Sequence, residues 1–101
     1  METTIELTGK QKRYLRAMGS TLDAVVHVGK MGVIDTVITT AKETIGPREL
    51  IKVKILKTCP QDPAEVIVIL AEALDAHLVQ VIGHSGLLYK ANIDKPVIEL
   101  P

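Results

Sequence analysis

The strand-like segment Leu50–Leu56 constrains the fold more than any other part of the chain, because its side chains alternate in character. Ile51, Val53 and Ile55 occupy alternate positions, and Lys52 and Lys54 lie between them. Successive side chains of a β-strand point to opposite faces of its sheet. An inner strand of a parallel sheet covered on both faces would be apolar throughout. The alternation therefore predicts a sheet with one face covered and the other open at this strand.

Helical periodicity and strand-like runs alternate along the first half of the chain. Thr8 is the expected N-cap of a first helix that ends near Met18. β-branched residues then predict a strand over Ala24–Val28. A second helix follows with one apolar face, formed by Ile34, Val37, Ile38, Ala41 and Ile45. We expect it to end at Gly46-Pro47, with the glycine in the left-handed conformation.

The second half of the chain predicts a third helix and a hairpin. Asp62-Pro63-Ala64-Glu65 combines an N-cap, a proline suited to the first helical position and a capping-box pattern. Leu78–Ile82 and Leu87–Ala91 are predicted strands, and Gly83-His84-Ser85-Gly86 joins them as a tight turn. The predicted order is α-β-α-β-α-β-β. Its β-α-β crossovers should be parallel and right-handed, and its last strand pair antiparallel.

The composition is typical of one globular domain over residues 1–101, with an ordered core at about 7–93 and loosely held ends at 1–6 and 94–101. The longest strongly apolar stretch is Val66–Ala71, whereas a bilayer span needs about 20 residues. The N-terminus has no signal-peptide pattern. The single cysteine, Cys59, cannot form an internal disulfide. We therefore expect a cytoplasmic protein with no membrane partner.

The charges are unevenly distributed, although the net charge is zero. Residues 1–57 carry ten basic and six acidic side chains, whereas residues 58–101 carry two and six. This asymmetry is compatible with a protein that binds a polyanion through one basic face. Chance segregation of surface charge is the alternative interpretation.

The loop Gly29-Lys30-Met31-Gly32 is the candidate functional element. It lies between a predicted strand and an amphipathic helix. Glycines allow positive φ angles and the close approach of another backbone, and a helix N-terminus offers unpaired N–H groups to an anion. In KH domains a GXXG loop clamps the backbone of about four nucleotides. The alternative is that both glycines serve only the geometry of the turn. Gly83-His84-Ser85-Gly86 has the same spacing but no helix after it, so we interpret it as a hairpin turn.

Two groups of basic residues accompany this loop, one on the first helix and one on the Leu50–Leu56 strand. Their members are Lys10, Lys12, Arg13, Arg16, Lys52 and Lys54. An ordinary solvated helix face would also explain the first group, and protection of an edge strand against pairing would explain the second. The functional interpretation requires that both groups and the loop converge on one surface.

Missing residue types narrow the function further. The chain has no Phe or Trp and two Tyr, so bases cannot stack on sheet aromatics as in an RRM. We expect contacts to phosphates and shape, with little reading of base sequence. The histidines and Cys59 lack metal-ligand spacing, and no paired carboxylates or Walker glycine pattern occur. We therefore expect no catalytic residue, metal, cofactor or small-molecule substrate.

Four blocks of sequence form a specific pattern because they occur together and in order. They are Leu7-Thr8-Gly9-Lys10-Gln11-Lys12-Arg13-Tyr14-Leu15-Arg16, Val25-Val26-His27-Val28-Gly29-Lys30-Met31-Gly32, Glu49-Leu50-Ile51-Lys52-Val53-Lys54, and Val79-Gln80-Val81-Ile82-Gly83 with Leu88-Tyr89-Lys90. This pattern resembles the CRM domain (chloroplast RNA splicing and ribosome maturation), especially bacterial stand-alone YhbY-type proteins. The chain departs from it at Met31, where a small or polar residue is expected, at His27, where Gln is common, and at Lys90, where Arg is expected.

The resemblance implies a compact α/β fold (α+β, two-layer) with a mixed four-stranded sheet and helices mainly on one side. Such a fold is similar to the C-terminal domain of translation initiation factor three, with a KH-like GXXG loop. The resemblance also implies RNA binding through Gly29, Lys30, Met31 and Gly32 and through the basic residues of the first helix and the Leu50–Leu56 strand. For bacterial members it implies association with precursors of the large ribosomal subunit.

Three functional hypotheses stay open at this point. The first is a non-enzymatic RNA-binding protein of ribosome assembly whose partner is ribosomal RNA or a pre-ribosomal particle. A monomer is expected, and the oligomeric state is left open. The second is a protein-interaction module whose open sheet face docks a partner protein without direct RNA contact. The third is a site for a small phosphate or nucleotide at the same loop.

Overall fold

The computed structural model describes residues 7–101, and its elements follow the predicted order. The helices and strands are α1 (Gly9–Gly19), β1 (Ala24–Val28), α2 (Asp35–Arg48), β2 (Leu50–Ile55), α3 (Pro63–Leu74), β3 (His77–Ile82) and β4 (Ser85–Tyr89). The prediction of a loosely held N-terminus concerns residues 1–6, which lie outside the described residues. Within the described part, no helix has both the length and the apolar character needed to cross a membrane.

The strands form one mixed four-stranded sheet in the order β1-β2-β4-β3, as predicted for the fold class. β1 and β2 are parallel, which confirms the predicted direction of the first strand pair. β4 pairs antiparallel with both β2 and β3. β3 consequently runs in the same direction as β2, but β4 lies between them. The second crossover therefore joins strands that are not neighbours.

The two faces of the sheet carry separate apolar clusters. Ile51, Val53 and Ile55 of β2 pack with α2 and α3 on one face. Leu50, from the same strand, belongs to a second cluster with Leu15 of α1. Because alternate residues of one strand fall into different clusters, the clusters lie on opposite faces. The helices are therefore mainly on one side, and α1 covers part of the other side.

The ends of the helices agree with the sequence at α1 and differ from it at α2 and α3. Thr8 and Gln11 form a reciprocal capping box at the start of α1. Pro63 takes the first position of α3 as predicted, but the Asp62 side chain makes no capping hydrogen bond. The prediction that α2 ends at Gly46-Pro47 is wrong, because the helix continues to Arg48 with the proline in its last turn.

The hairpin is tighter than predicted. Gly83 and His84 alone form the turn, whereas Ser85 and Gly86 already belong to β4. Gly83 has a φ angle of +55°, as expected for a two-residue turn between right-twisted strands. The interpretation of this tetrad as a hairpin is therefore confirmed, although its second half lies in the sheet.

Glu49 is the left-handed residue at the end of α2, with a φ angle of +66°. Its side chain is only 1% exposed. The backbone N–H of Asn92 donates to its Oε2 at 2.6 Å, and those of Val97 and Ile98 donate to its Oε1 at 2.7 and 2.6 Å. Burial raises the pKa of the Glu49 carboxyl, but these three hydrogen bonds outweigh it and hold the pKa below its ordinary value.

The C-terminal segment is consequently held against the protein, although it contains no helix or strand. The side chains of Ile98 and Leu100 pack against the cluster that contains Leu15 and Leu50. Within the segment 94–101, predicted to be loosely held, residues contact Glu49 and the α1 side of the sheet. The carboxylate of Glu49, which accepts the hydrogen bonds of this segment, is distant in sequence, so the local sequence does not predict them.

Candidate nucleic-acid interface

The loop Gly29–Gly32 is a tight turn whose two central side chains face solvent. The backbone N–H of Gly32 donates to the carbonyl of Gly29 at 2.9 Å, which closes the turn. Lys30 is exposed, and Met31 has 71% of its surface accessible. The turn therefore presents one ammonium group and one apolar side chain at its tip.

The two glycines of this loop differ in what the structure requires of them. Gly32 has a φ angle of +73°, and a Cβ there would lie 2.7 Å from the Gln61 Oε1 atom. That oxygen accepts the backbone N–H of Val33 at 3.0 Å, so Gly32 is buried under the Gln61 side chain. A Cβ on Gly29 would meet only Leu56 Cδ1, at an ordinary 3.5 Å. Turn geometry therefore explains Gly32 but not Gly29.

The N-terminus of α2 is less favourable to an anion than the sequence suggests. The N-cap is Ile34, whose side chain makes no capping hydrogen bond. Asp35 opens the first turn, and its carboxylate stabilises the helix dipole but repels phosphate. The loop backbone and Lys30 are consequently better placed to contact an anion than the helix end itself.

Lys52 and Lys54 lie on an inner strand, because β2 is paired with β1 on one side and with β4 on the other. The alternative that they protect an edge strand is therefore wrong. Both side chains point away from the face covered by α2 and α3. Lys54 is exposed and pairs in register with His27 of β1 and Ser85 of β4. The sheet face is thus covered near Leu50 and open around Lys54.

The α1 helix contributes cations without carboxylates to this side of the sheet. Its sequence contains four basic residues and no acidic one. Arg16 lines the same cleft as Lys52. Lys12 lines a separate small hollow with His77 and Leu78, at the other end of the helix. Lys10 and Arg13 are exposed on the helix surface. The structure therefore brings Arg16 to Lys52 of β2, whereas the other three basic residues of α1 do not line this cleft.

The loop and Lys54 lie at the same end of the sheet. Leu56 follows β2, and its backbone N–H donates to the carbonyl of Val28 at 2.8 Å. Its side chain approaches Gly29. Lys54 precedes Leu56 by two residues, so the open sheet face leads to the base of the loop. The acidic residues of α3, Glu65 and Glu72, lie on a helix that packs on the opposite face.

Two residues of this surface, Gln80 and Ser85, were not singled out from the sequence. Both line the cleft that contains Arg16 and Lys52. Gln80 alternates with apolar neighbours in β3, a pattern that indicates a strand but not a site. Among the described residues, no group of three or more His, Cys, Asp or Glu is arranged to hold a metal ion.

The structure thus defines a small α/β domain with a glycine loop and an open cationic sheet face. The family model for the CRS1/YhbY (CRM) domain matches residues 7–90. The chain therefore belongs to the CRS1/YhbY (CRM) domain family.

Similar proteins from bacteria and an archaeon are named as RNA-binding. "Probable RNA-binding protein YqeI" of Bacillus subtilis is 43% identical over 95 residues, which are 94% of this chain and 99% of that protein. "Probable RNA-binding protein MJ0652" of Methanocaldococcus jannaschii is 42% identical, over 84% of this chain and 64% of that protein. An "RNA-binding protein" of Haemophilus influenzae is 30% identical, over 94% and 95%. These names indicate RNA-binding proteins rather than enzymes.

A solved structure supports the fold independently. The solution structure of the hypothetical protein SAV1595 from Staphylococcus aureus superposes with a TM-score of 0.79 at 41% sequence identity. The match covers 95% of this chain and 100% of that one.

Proposed function

We propose that this protein binds RNA without catalysis and acts in assembly of the large ribosomal subunit, on precursor ribosomal RNA. Backbone phosphates would contact Lys30 and the Gly29 backbone at the loop. They would then follow the open sheet face past Lys54 and Lys52 to Arg16 and the rest of α1. RNA binding by this chain is inferred from its family and its similarly named relatives.

One observation carries the proposal most strongly. Lys54 is exposed on an inner strand beside the base of a glycine loop, and the helix over the same face contains no carboxylate. A surface that collects several cations suits a polyanion. The sequence of a bound RNA would matter little to these contacts, because phosphates position a nucleic acid without specifying its bases.

Salt dependence tests the electrostatic part. If four to six phosphates are neutralised, log affinity for single-stranded RNA should fall against log salt concentration with a slope of about −3 to −4. The measurement is fluorescence anisotropy of a labelled oligoribonucleotide over a range of KCl concentrations. A flat response would contradict the proposal.

The loop is tested by the double change Lys30→Asp and Met31→Asp, since both side chains are exposed and the turn does not depend on them. Binding should be abolished while the circular dichroism spectrum stays unchanged. Lys42→Asp is the matched control, because this exposed lysine lies on α2, across the sheet from the proposed surface. Retained affinity in the loop variant would remove the loop from the mechanism.

The role in ribosome assembly needs a cellular measurement. Crosslinking in cells followed by sequencing should recover precursor large-subunit RNA with the wild-type chain, and less of it with the loop variant. Recovery of unrelated RNAs in both cases would reject the ribosomal part and leave RNA binding intact.

One observation favours the second candidate, a protein-interaction module. Met31, Ile34 and Leu56 are exposed apolar side chains at or near the loop. If they dock a protein instead of RNA, the purified chain should carry no nucleic acid, and its ratio of absorbance at 260 and 280 nm should stay low. Nucleic acid that is retained by the wild type and lost in the loop variant would reject this candidate.

A further inference from the structure

A cleft of about 360 Å³ opens between the end of α1 and the sheet. Arg16 and Ser20 form its helical side, and Lys52, Gln80, Ser85 and Leu87 belong to the strands. Its volume is within the range of about 300–1,000 Å³ found for small-molecule pockets. The cleft is therefore large enough to admit one planar ring system.

The register of the sheet places these side chains side by side. Lys52 of β2, Leu87 of β4 and Gln80 of β3 form one row across three strands. Ser85 lies in the next row, between Lys54 and Ile82. A Cβ on Gly19 would clash with the side chain of Leu87, so the glycine lets the end of α1 approach this row closely.

The cleft combines positively charged side chains with a carboxamide that has no hydrogen-bond partner among the described residues. No carboxylate is among the side chains that line it. The carboxamides of Gln11, Gln61 and Asn92 form hydrogen bonds within the protein, whereas that of Gln80 has no protein partner among residues 7–101. Gln80 is nevertheless half-buried. A half-buried amide beside an apolar side chain can donate to and accept from the edge of a base.

We propose that this cleft takes one unstacked nucleotide of a bound RNA. Its base would lie against Ile82, its edge on the Gln80 carboxamide, and its phosphate on Arg16 and Lys52. This inference rests on the proposed RNA binding and extends it, because phosphate contacts alone carry no base information. An RNA strand fits better than a free nucleotide, because exposed Lys54 lies in the next row of the same sheet face and can contact a neighbouring phosphate.

The test compares oligoribonucleotides that have bases with an abasic oligomer of the same length, by fluorescence anisotropy at one salt concentration. Wild-type protein should bind the best homopolymer about tenfold more tightly than the abasic oligomer, since one bidentate hydrogen-bonded pairing to a base edge contributes about that much. Gln80→Leu should reduce the differences among homopolymers to about twofold or less and leave abasic binding unchanged. Lys42→Ala, on the opposite side of the sheet, should change neither.

A second variant guards against a folding defect in Gln80→Leu. Ile82→Ser alters a side chain that is already 64% exposed, so the fold should tolerate it. It should lower affinity for base-bearing oligomers and leave abasic binding unchanged.

Three outcomes would overturn the inference. They are equal wild-type binding of abasic and base-bearing oligomers, an unchanged base preference in folded Gln80→Leu, and binding of a free nucleoside monophosphate as tight as that of the oligomer. If the wild type binds neither kind of oligomer, the proposed RNA binding itself fails, which is a distinguishable result.

Discussion

Removal of the Glu49 side chain should lower the free energy of unfolding, because its carboxylate holds the C-terminal segment. Glu49→Ala leaves the N–H groups of Asn92, Val97 and Ile98 without their acceptor. An orphaned buried donor costs about 1–3 kcal/mol. Asn92 and Ile98 are half-buried and Val97 is exposed, so water can reach part of the released segment. We therefore assign the lower limit, about 1 kcal/mol, to each of the three hydrogen bonds, so the free energy of unfolding should fall by about 3 kcal/mol.

Urea unfolding followed by circular dichroism measures this loss. Glu49→Gly distinguishes the contribution of the carboxylate from that of backbone strain. Glycine lacks the carboxylate, as alanine does, but it relieves the strain of the +66° φ angle. It should be about 1 kcal/mol more stable than Glu49→Ala and still well below the wild type. If Glu49→Ala lowers the free energy of unfolding by less than about 1 kcal/mol, the reasoning is refuted, because the loss of a single hydrogen bond of this kind should cost at least that much.

The pH dependence of stability provides an independent check on the same residue. The pKa of Glu49 is lower in the folded chain than its ordinary value, so the folded state binds this proton less readily than the unfolded state. Its contribution is therefore complete above the unfolded pKa of about 4.3 and is lost as the pH falls through the lowered folded pKa. Glu49→Gln should remove this part of the acid sensitivity. If the variant and the wild type lose stability in parallel below pH 4.3, another group is responsible.

Three further predictions concern the glycine loop and the lysines of β2. Gly32→Ala should lower stability by about 2 kcal/mol in thermal unfolding, because a side chain at φ +73° is strained and would also displace the amide of Gln61. Gly29→Ala should change stability by less than about 0.5 kcal/mol but weaken RNA binding in anisotropy titrations, because its Cβ has room in the fold and would obstruct a ligand backbone. Lys52→Ala with Lys54→Ala should reduce the magnitude of the salt slope by about 1.4, and an unchanged slope would show that neither lysine meets a phosphate.

Much of the fold follows from local patterns. The N-cap at Thr8 and the alternation in β2 follow from short stretches of sequence, and both are present in the structure. The end of α2 is different. Gly46-Pro47 looks like a helix stop, yet Glu49 takes the left-handed position, where its carboxylate holds residues that lie more than 40 positions away. Contacts at that distance in sequence override a local signal, and one sequence alone does not reveal them.

The candidate site also combines residues that the sequence identifies with residues that only the structure identifies. Lys30, Lys52 and Lys54 could be found from the sequence because charge at these positions is visible without coordinates. Their shared position depends on β2 being an inner strand, which required the strand order. Gln80 could not be found, since a glutamine in a strand becomes notable only when its carboxamide has no protein partner in a cationic cleft.

The two glycine tetrads of the chain show why spacing alone is weak evidence for a ligand site. The second glycine of the loop, Gly32, and the first of the hairpin, Gly83, both have positive φ angles. Gly86 lies against the Ile67 side chain and has no room for a Cβ. Conformation or crowding therefore explains three of the four glycines. Gly29 has neither constraint, and it lies next to the exposed tip of the loop and near Lys54. Because a methyl group at Gly29 fits the fold, Gly29→Ala is the change that most directly distinguishes a binding loop from a turn.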